Sequence, residues 1–414
     1  MNRNNKIKVF YNPKQVCKDN IQEESYSKSP LKPMLLMQYL QDNGFSNHLE
    51  IDSSFAPFGR KDFRLAHHKR YVKNFFAGTG NCRSNSLPWS ENLVESVTYT
   101  NSSIYNAIKY AVDNPETITF SPTSGFHHAQ PQGGSGFCTF SGQVIAATKI
   151  YRETGKRAAF LDLDGHFGNS IEDSRNFVED LDKSIPFNIN PVHSHQVYVD
   201  DFTLWLSELT KAFVDGAVDY VVWCHGADSH EWDQLGHQCS TEEWLKCSKL
   251  FYGWVKDMQD TYDITVPVTL ALFGGYRDDD YNSVLSLHTS DLQICLSALC
   301  GVDVEYTTQV QPKPIRTFYR SSFVNVDDSD VDLVETHYGI DNDDDDDDDD
   351  DKWWEPSELQ RAVDIDAFGL REMTAPKIVD EIALSTGTTI NIDVKDKKRI
   401  IKEGYRLLIQ CNYV

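Results

Sequence analysis

The sequence contains nine cysteines but no pair in the Cys-x-x-Cys spacing. An odd number of cysteines does not suit a framework of disulfide bonds, and the missing spacing argues against a zinc site built from thiolates. We therefore expect free thiols in a reducing compartment.

Long apolar stretches are also missing. No run approaches the roughly 20 apolar residues that a membrane-spanning helix needs. The N-terminal sequence MNRNNKIKVFYNPKQV lacks the apolar centre of a signal peptide. We expect an intracellular protein, cytoplasmic or nuclear, that does not enter a membrane.

Basic residues are scarce. The sequence has 39 lysines and arginines but 63 aspartates and glutamates, which gives a net charge of -24. Residues 327–358 alone contain 17 acidic residues and one lysine, including nine consecutive aspartates at 343–351. The stretch at 326–352 cannot bury enough apolar surface to fold, so it predicts an extended linker. The charge argues against direct binding to a nucleic-acid backbone and suits cationic substrates such as lysine side chains or polyamines.

Residues 7–305 alternate short apolar runs with amphipathic stretches. The runs predicted as strands are IKVFYN, TITFSP, AAFLDLD, YVVWCHG and VTLALFGG. The amphipathic stretches, whose apolar residues recur every three or four positions, predict helices within residues 90–114, 141–155, 200–216 and 240–260. Ser240 and Glu243 have the spacing of a capping box at the start of the last helix.

Strands that alternate with helices predict an α/β fold, a three-layer α/β/α arrangement with a mostly parallel central sheet. We divide the chain into a main domain at residues 1–305, the acidic linker at 306–352 and a small accessory module at 353–414. In parallel sheets, functional residues gather beyond the carboxyl ends of the strands. The ends of the predicted strands are therefore the places to search for chemistry.

One predicted strand, AAFLDLD, contains Asp162 and Asp164 and is followed by His166. Side chains at alternate positions of a strand point the same way, so these three groups would converge. Burying unpaired charge costs several kcal/mol, and a metal cation is the obvious compensating partner. Asp228 follows another predicted strand, and together with Asp164 and His166 it makes a set that suits a divalent ion with an open position for water.

The motifs SGFHHA, GFCTFSGQVIAA, DLDGHFGN, GADSHEWDQLG and LFGGY occur in this order between residues 124 and 276. This ordered series resembles the histone deacetylase and acetylpolyamine amidohydrolase family of zinc hydrolases, which share the arginase-type α/β fold. The resemblance extends over residues 7–305 and implies a zinc-dependent deacetylase domain there. It implies hydrolysis of the amide that joins an acetyl or other acyl group to a lysine side chain of a protein or to a polyamine.

The resemblance also implies how the metal and the proton transfers are handled. Asp164, His166 and Asp228 match the ligands of one Zn²⁺ ion per chain. His128 matches the general base and acid, and His127 matches its electrostatic partner.

Further matches concern the groups around these residues. Asp162 matches the carboxylate that orients the first histidine, and Asn169 lies where the family places an Asp or Asn behind the second. Tyr276 matches the hydroxyl that binds the developing oxyanion, and Gly136 with Phe137 matches one wall of the channel for the acyl-lysine chain. The family also binds a monovalent cation near Asp162, Asp164 and His166, so we expect K⁺ there.

Departures from the family pattern lie around the site. Phe167 stands where a second histidine is usual, and Phe273 stands where a glutamate is usual. Residues 190–201 replace the family's Pro-Gly-Thr-Gly loop, which forms part of the channel wall, so substrate choice is the property most open to change. We interpret His193 and His195 in this segment as rim histidines.

Two other functions stay open. An arginase-type ureohydrolase uses two manganese ions and needs extra carboxylates, which Gly168 and Asn169 do not provide. A catalytically silent scaffold would present the linker and the C-terminal module to partners, but it has no need of a full ligand set, a histidine pair and a tyrosine. We interpret His67 and His68 as structural and Cys138 as a core residue.

Overall fold

The computed structural model describes residues 3–19, 27–123, 125–190 and 198–312 of the 414-residue chain. The predicted accessory module, most of the predicted acidic linker, and His193 and His195 lie outside the described residues.

A parallel sheet forms the centre of the described part. Its strands are β1 (Ile7–Phe10), β2 (Leu49–Asp52), β3 (Thr119–Ser121), β4 (Ala158–Asp162), β5 (Phe187–Ile189), β6 (Tyr220–Gly226) and β7 (Val268–Phe273). They are ordered β2-β1-β3-β7-β6-β4-β5, and every neighbouring pair is parallel. This arrangement confirms the predicted fold class.

Strand β6 shows why apolar runs form the centre of such a sheet. All seven of its residues are buried, and its side chains alternate between two cores. Val221 and Trp223 lie in the core on one face, whereas Tyr220, Val222 and Cys224 lie in the core on the other. A strand covered on both faces gains from apolar residues at every position, and helices provide the cover.

Helices pack on both sides of the sheet. They are α1 (Lys32–Asp42), α2 (Arg60–Phe63), α3 (Lys69–Ala77), α4 (Glu91–Asp113), α5 (Gly142–Thr154), α6 (Ser170–Ser174), α7 (Leu181–Ser184), α8 (Tyr198–Val214), α9 (Thr241–Tyr262) and α10 (Tyr281–Cys300). The four predicted helices correspond to α4, α5, α8 and α9, with ends within two residues of the predicted bounds.

The sequence patterns missed several elements for identifiable reasons. β2 is a short edge strand with two exposed residues, and β5 has only three residues, so neither carries a recognisable apolar run. Helix α10 is buried around most of its circumference, including polar positions such as His288 and Asp291. A helix buried on all sides lacks the polar face that makes helical periodicity visible.

Alternation along β4 is not what brings its polar residues together. The strand ends at Asp162, so Asp164 and His166 lie in the loop beyond it and not on one face of the strand. The prediction that all three converge by strand geometry was therefore wrong. Their positions are set by the loop and its hydrogen bonds.

The topology nevertheless collects the polar segments. β3, β7, β6 and β4 are consecutive neighbours in the sheet and run in the same direction. The site residues that follow these strands are His127 and His128 after β3, Tyr276 after β7, Asp228 after β6, and Asp164 and His166 after β4. Because the carboxyl ends of parallel strands meet at one edge, four distant parts of the sequence become adjacent.

Within the described ranges, no helix has the length and apolar character needed to cross a lipid bilayer.

The capping box at the start of α9 offers a test of local stability. The Ser240 hydroxyl oxygen accepts a hydrogen bond from Glu243 N at 3.3 Å, and Glu243 Oε2 accepts one from Ser240 N at 2.8 Å. Ser240→Ala should lower the free energy of unfolding by about 1 kcal/mol. The exposed Ser46 provides the control substitution to alanine. Equal urea midpoints for the two variants would contradict a stabilising cap.

Candidate active site

Three ligand-type side chains lie together beyond β4 and β6. The ligand atoms of Asp164, His166 and Asp228 all lie within 4.8 Å of one another. His166 Nδ1 is 2.7 Å from Asp228 Oδ2 and 3.2 Å from Asp164 Oδ1. Both aspartates are fully buried. Oxygen and nitrogen donors at this separation match the ligand types that divalent transition metals accept.

Backbone groups fix the two carboxylates. Asp228 Oδ1 accepts a hydrogen bond from Gly165 N at 3.0 Å, and Asp164 Oδ1 accepts one from His166 N at 2.9 Å. The first bond ties the loop after β4 to the turn after β6, and the second lies within the loop after β4. The site is therefore preorganised by main chain as well as by side chains.

One oxygen in the cluster lacks a partner. Asp164 Oδ2 is buried and accepts no hydrogen bond from any residue that the structure describes. A buried carboxylate oxygen without a donor carries the full cost of its lost hydration. A cation between the two carboxylates would offset that cost, so the residues present fit a bound metal.

The histidine pair is held from behind by two polar side chains. His127 Nδ1 lies 3.0 Å from Asp162 Oδ2, and His128 Nδ1 lies 3.0 Å from Asn169 Oδ1. Asn169 Nδ2 donates to Asp173 at 2.6 Å, which turns the amide oxygen toward the histidine. An amide oxygen only accepts, so His128 Nδ1 carries the proton and its Nε2 has a free lone pair when the ring is neutral.

The two histidines differ in charge because their surroundings differ. Burial lowers the pKa of His127, but the negative charges of Asp164 and Asp162 outweigh burial and raise the pKa to about 9. For His128, burial and the neighbouring charge of His127 hold the pKa well below its usual range. Near neutral pH, His127 is therefore the charged member and His128 the neutral member.

Tyr276 enters the site on the turn after β7. Gly274 and Gly275 have φ angles of +50° and +99°, a region that L side chains rarely adopt. The Tyr276 ring lies with its centroid 6.0 Å from that of His166 and 5.7 Å from that of Phe137. Burial, together with the negative charges of Asp164 and Asp228, raises the pKa of Tyr276 well above its usual range. Its hydroxyl therefore keeps its proton.

The segment before α5 forms a wall beside these groups. Gly136 and Phe137 both have positive φ angles, +49° and +64°, and Phe137 N donates to Asn85 O at 3.0 Å. A Cβ atom at position 136 would lie 2.4 Å from a ring carbon of His128. The glycine therefore lets the wall approach the histidine. A cavity is lined by residues from this wall, the Tyr276 turn, His127 and Asp164.

The family model described as the histone deacetylase domain matches residues 27–181. Over 179 residues, the chain is 26% identical to the acetoin utilization protein AcuC of Staphylococcus aureus (strain MRSA252). The likeness to the histone deacetylase domain thus extends over 155 of the 414 residues of the chain.

Other relatives match different lengths of the chain. Histone deacetylase 14, chloroplastic, of Arabidopsis thaliana is 40% identical over 81 residues, which cover 19% of this chain and 18% of that protein. An uncharacterized protein of Picosynechococcus sp. is 27% identical over 262 residues, or 57% of this chain and 83% of that protein. The AcuC match covers 36% of this chain and 44% of AcuC, so the chain spans less than half of that relative.

A solved structure shares the fold. The crystal structure of the HDA15 HD domain superposes with a TM-score of 0.55 at 13% identity, covering 73% of this chain and 90% of that domain. At this identity the likeness concerns the fold alone.

Two buried ionisable residues beside the site were not predicted from the sequence. Lys32, at the start of α1, is only 2% exposed, and its ammonium group donates to Gly274 O. Burial lowers the pKa of Lys32 to about 8, although the charges of Asp228 and Asp164 act in the opposite direction. Asp233, also 2% exposed, accepts a hydrogen bond from Tyr276 N at 2.7 Å. Neither residue belongs to a periodic sequence pattern that would predict its burial, because Lys32 is the first residue of helix α1 and Asp233 lies in a loop.

Other residues singled out from the sequence have structural surroundings. His67 is buried, with Nδ1 2.8 Å from Gln130 O and Nε2 accepting from Ser141 N at 2.8 Å. Cys138 is buried, and burial raises the pKa of its thiol far above its usual range. These contacts agree with the structural interpretation of His67 and the core interpretation of Cys138.

The glycine turn before Tyr276 generates a stability prediction. A Cβ atom at position 274 would lie 1.9 Å from Asp228 Oδ1, whereas one at Gly155, which also has a positive φ of +75°, meets nothing within 4 Å. Gly155→Ala therefore measures only the free-energy cost of placing an L side chain at a positive φ. Gly274→Ala should lower the free energy of unfolding by about 1–3 kcal/mol more than Gly155→Ala does, which is the usual cost of overpacking. Equal losses in chemical denaturation would show that the turn relaxes freely.

Proposed function

We propose that the chain is a zinc-dependent deacylase that removes acetyl or other acyl groups from lysine side chains of proteins or from acetylated polyamines. One observation carries this proposal. The cluster of Asp164, His166 and Asp228 lies beside a charged histidine, a neutral histidine and a protonated tyrosine. Asp164, His127 and Tyr276 line one cavity. Amide hydrolysis needs a nucleophile, a base and an oxyanion donor.

The metal would be held by Asp164, His166 and Asp228. The orphaned Asp164 Oδ2 supports this assignment because a cation would give that buried oxygen a partner. When bound, zinc supplies Lewis acidity, which polarises a carbonyl group and lowers the pKa of water. We also expect a monovalent cation, K⁺, near Asp162, Asp164 and His166.

The two histidines divide the proton chemistry. His128 is neutral with its proton on Nδ1, so Nε2 can accept a proton from water and later return it to the leaving amine. Asn169 keeps that tautomer by accepting from Nδ1. His127, paired with Asp162 at 3.0 Å, keeps its charge and lowers the proton affinity of its neighbour. The ring centroids of the two histidines are 4.1 Å apart, so this influence is direct.

Tyr276 would act on the oxygen of the amide. Its hydroxyl keeps its proton because burial and nearby carboxylates raise its pKa, and it can therefore donate a hydrogen bond to developing negative charge. Gly136 and Phe137 would form one wall of the channel that holds the aliphatic chain of the substrate. The acidic balance of the chain suits a cationic substrate.

Removing a ligand should remove the metal. We expect the purified protein to bind one zinc ion and Asp228→Asn to lose it. An amide has no negative charge, and it has one oxygen where Asp228 places two, Oδ1 at Gly165 N and Oδ2 at His166 Nδ1. Asp113→Asn, at the end of α4, is the control for lost negative charge. The measurement is the metal content of the parent and the two variants by mass spectrometry, and zinc retained in Asp228→Asn would contradict the ligand assignment. Two manganese ions per chain would instead indicate a ureohydrolase.

The tyrosine hydroxyl should matter for turnover and not for metal binding. Tyr276→Phe should keep the zinc content and lower kcat about 10²- to 10³-fold, the usual cost of removing one oxyanion donor. Tyr262→Phe, at an exposed position, is the matched control. Acetyl-lysine peptides, longer acyl-lysine peptides and acetylated polyamines form the substrate panel, with a chelator as a negative control. A zinc-loaded parent that hydrolyses none of them would point to a silent scaffold.

A further inference from the structure

Asp233 is a buried acid that the proposed chemistry does not use. It lies in the loop after the Ala227–Ser229 turn and is 2% exposed. Arg277 is near in the fold, but its guanidinium pairs with Asp279 at 2.7 Å. The Asp233 carboxylate is instead surrounded by backbone N–H groups.

Those N–H groups belong to two different segments. Asp233 Oδ2 accepts from Tyr276 N at 2.7 Å. Asp233 Oδ1 accepts from Leu235 N at 2.9 Å and from Gly236 N at 3.3 Å within its own loop. Both carboxylate oxygens are therefore engaged, and one of these bonds crosses to the turn that carries the tyrosine.

The neighbouring residue completes the connection. Gln234 N donates to Tyr276 O at 3.1 Å, so loop 233–234 holds both backbone polar groups of Tyr276. We call these two bonds the Tyr276 clasp. The bond from Tyr276 N to Asp233 Oδ2 is the shorter of the two, at 2.7 Å.

The turn itself needs such an external anchor. Two consecutive glycines precede Tyr276, and glycine is the residue with the greatest backbone freedom. The aromatic contacts of the ring with Phe137 and His166, at centroid distances of 5.7 and 6.0 Å, limit its space but do not define the position of its backbone. Without the clasp, the turn would keep the Lys32 bond at Gly274 O, but Gly275 and the backbone of Tyr276 would lie beyond that anchor.

We propose that Asp233 is a positioning residue that places the Tyr276 hydroxyl for oxyanion stabilisation. This inference rests on the proposed function, because it gives the position of Tyr276 a catalytic purpose. Asp233 acts through the Tyr276 backbone and does not contact the substrate. Its removal should therefore lower turnover without removing the metal.

Asp233→Asn is the direct test. The amide keeps one acceptor oxygen and places an NH₂ group where the second oxygen was, so it cannot satisfy both Tyr276 N and the Leu235 and Gly236 donors. A misplacement of about 1 Å in an active site can cost about a hundredfold in rate. We expect a loss of that order in kcat, with KM and zinc content close to those of the parent.

Asp278→Asn is the matched control. Asp278 lies two residues after Tyr276, and its Oδ1 accepts from the Gln234 side chain on the exposed side of the same loops. An asparagine keeps that acceptor oxygen. The control therefore makes the same Asp-to-Asn change and leaves both bonds of the Tyr276 clasp in place. Equal kcat for the two variants would overturn the proposal. If Asp233→Asn does not fold, Asp233→Ser, which offers a single acceptor oxygen, takes its place.

A double-mutant cycle separates positioning from general destabilisation. If Asp233 acts through the tyrosine hydroxyl, adding Asp233→Asn to Tyr276→Phe should change kcat by less than about twofold, because coupled residues are not additive. A further loss in kcat of about a hundredfold would show that Asp233 acts other than through the Tyr276 hydroxyl, and it would overturn the proposal.

Amide hydrogen exchange tests the clasp without any turnover. A peptide covering residues 274–278 should exchange faster in Asp233→Asn than in the parent and in Asp278→Asn, while a peptide from β7 should be unchanged. Unchanged exchange in 274–278 would refute the anchor even if activity fell. If the parent hydrolyses no amide on the panel, the proposed function fails, and this measurement still decides whether Asp233 holds the turn.

Discussion

Three carboxylates, those of Asp162, Asp164 and Asp228, are buried at the carboxyl ends of two adjacent strands, and much of the surrounding structure serves to neutralise them. Isolated charge in a protein interior is costly enough to forbid the arrangement without partners. His127 and His166 supply two of those partners, at 3.0 Å from Asp162 and 2.7 Å from Asp228. The remaining demand, most visible at Asp164 Oδ2, is for a cation.

The parallel sheet holds the segments that carry these buried charges in fixed positions. β4 and β6 are apolar on both faces and fully buried, so they fix the start of each polar loop rigidly. Backbone donors such as Gly165 N then aim at the carboxylates. Because β3 and β7 lie next to β6 and β4 in the same sheet, the histidine pair and the tyrosine reach the same edge.

Much of this could be predicted from sequence, and the failures have physical causes. Fully buried strands such as YVVWCHG and amphipathic helices such as α4 follow from patterns that burial imposes. The grouping of Asp164, His166 and Asp228, whose ligand atoms lie within 4.8 Å of one another, followed from their positions near the ends of two predicted strands and from the family resemblance. Strand alternation did not explain it, because β4 ends at Asp162 and a loop conformation has no fixed period.

Residues that act through the backbone were the hardest to find. Lys32 and Asp233 contact the Tyr276 turn through main-chain atoms of Gly274 and Tyr276, and nothing in the identity of those partners specifies a lysine or an aspartate. Such contacts depend on tertiary proximity across long stretches of sequence. Position-by-position motif matching therefore recovers the groups proposed to carry out the chemistry more readily than the groups that hold them.

The charge balance also links metal binding to protons. Burial lowers the pKa of His166, but its hydrogen bonds to Asp164 and Asp228 outweigh burial and raise the pKa well above the usual range. In this state the imidazole holds a proton between the two carboxylates at its Nδ1. An imidazole ligand must be neutral, so a metal held by His166 would require the release of that proton. Such a cation would take the place of the proton between the same pair of buried carboxylates.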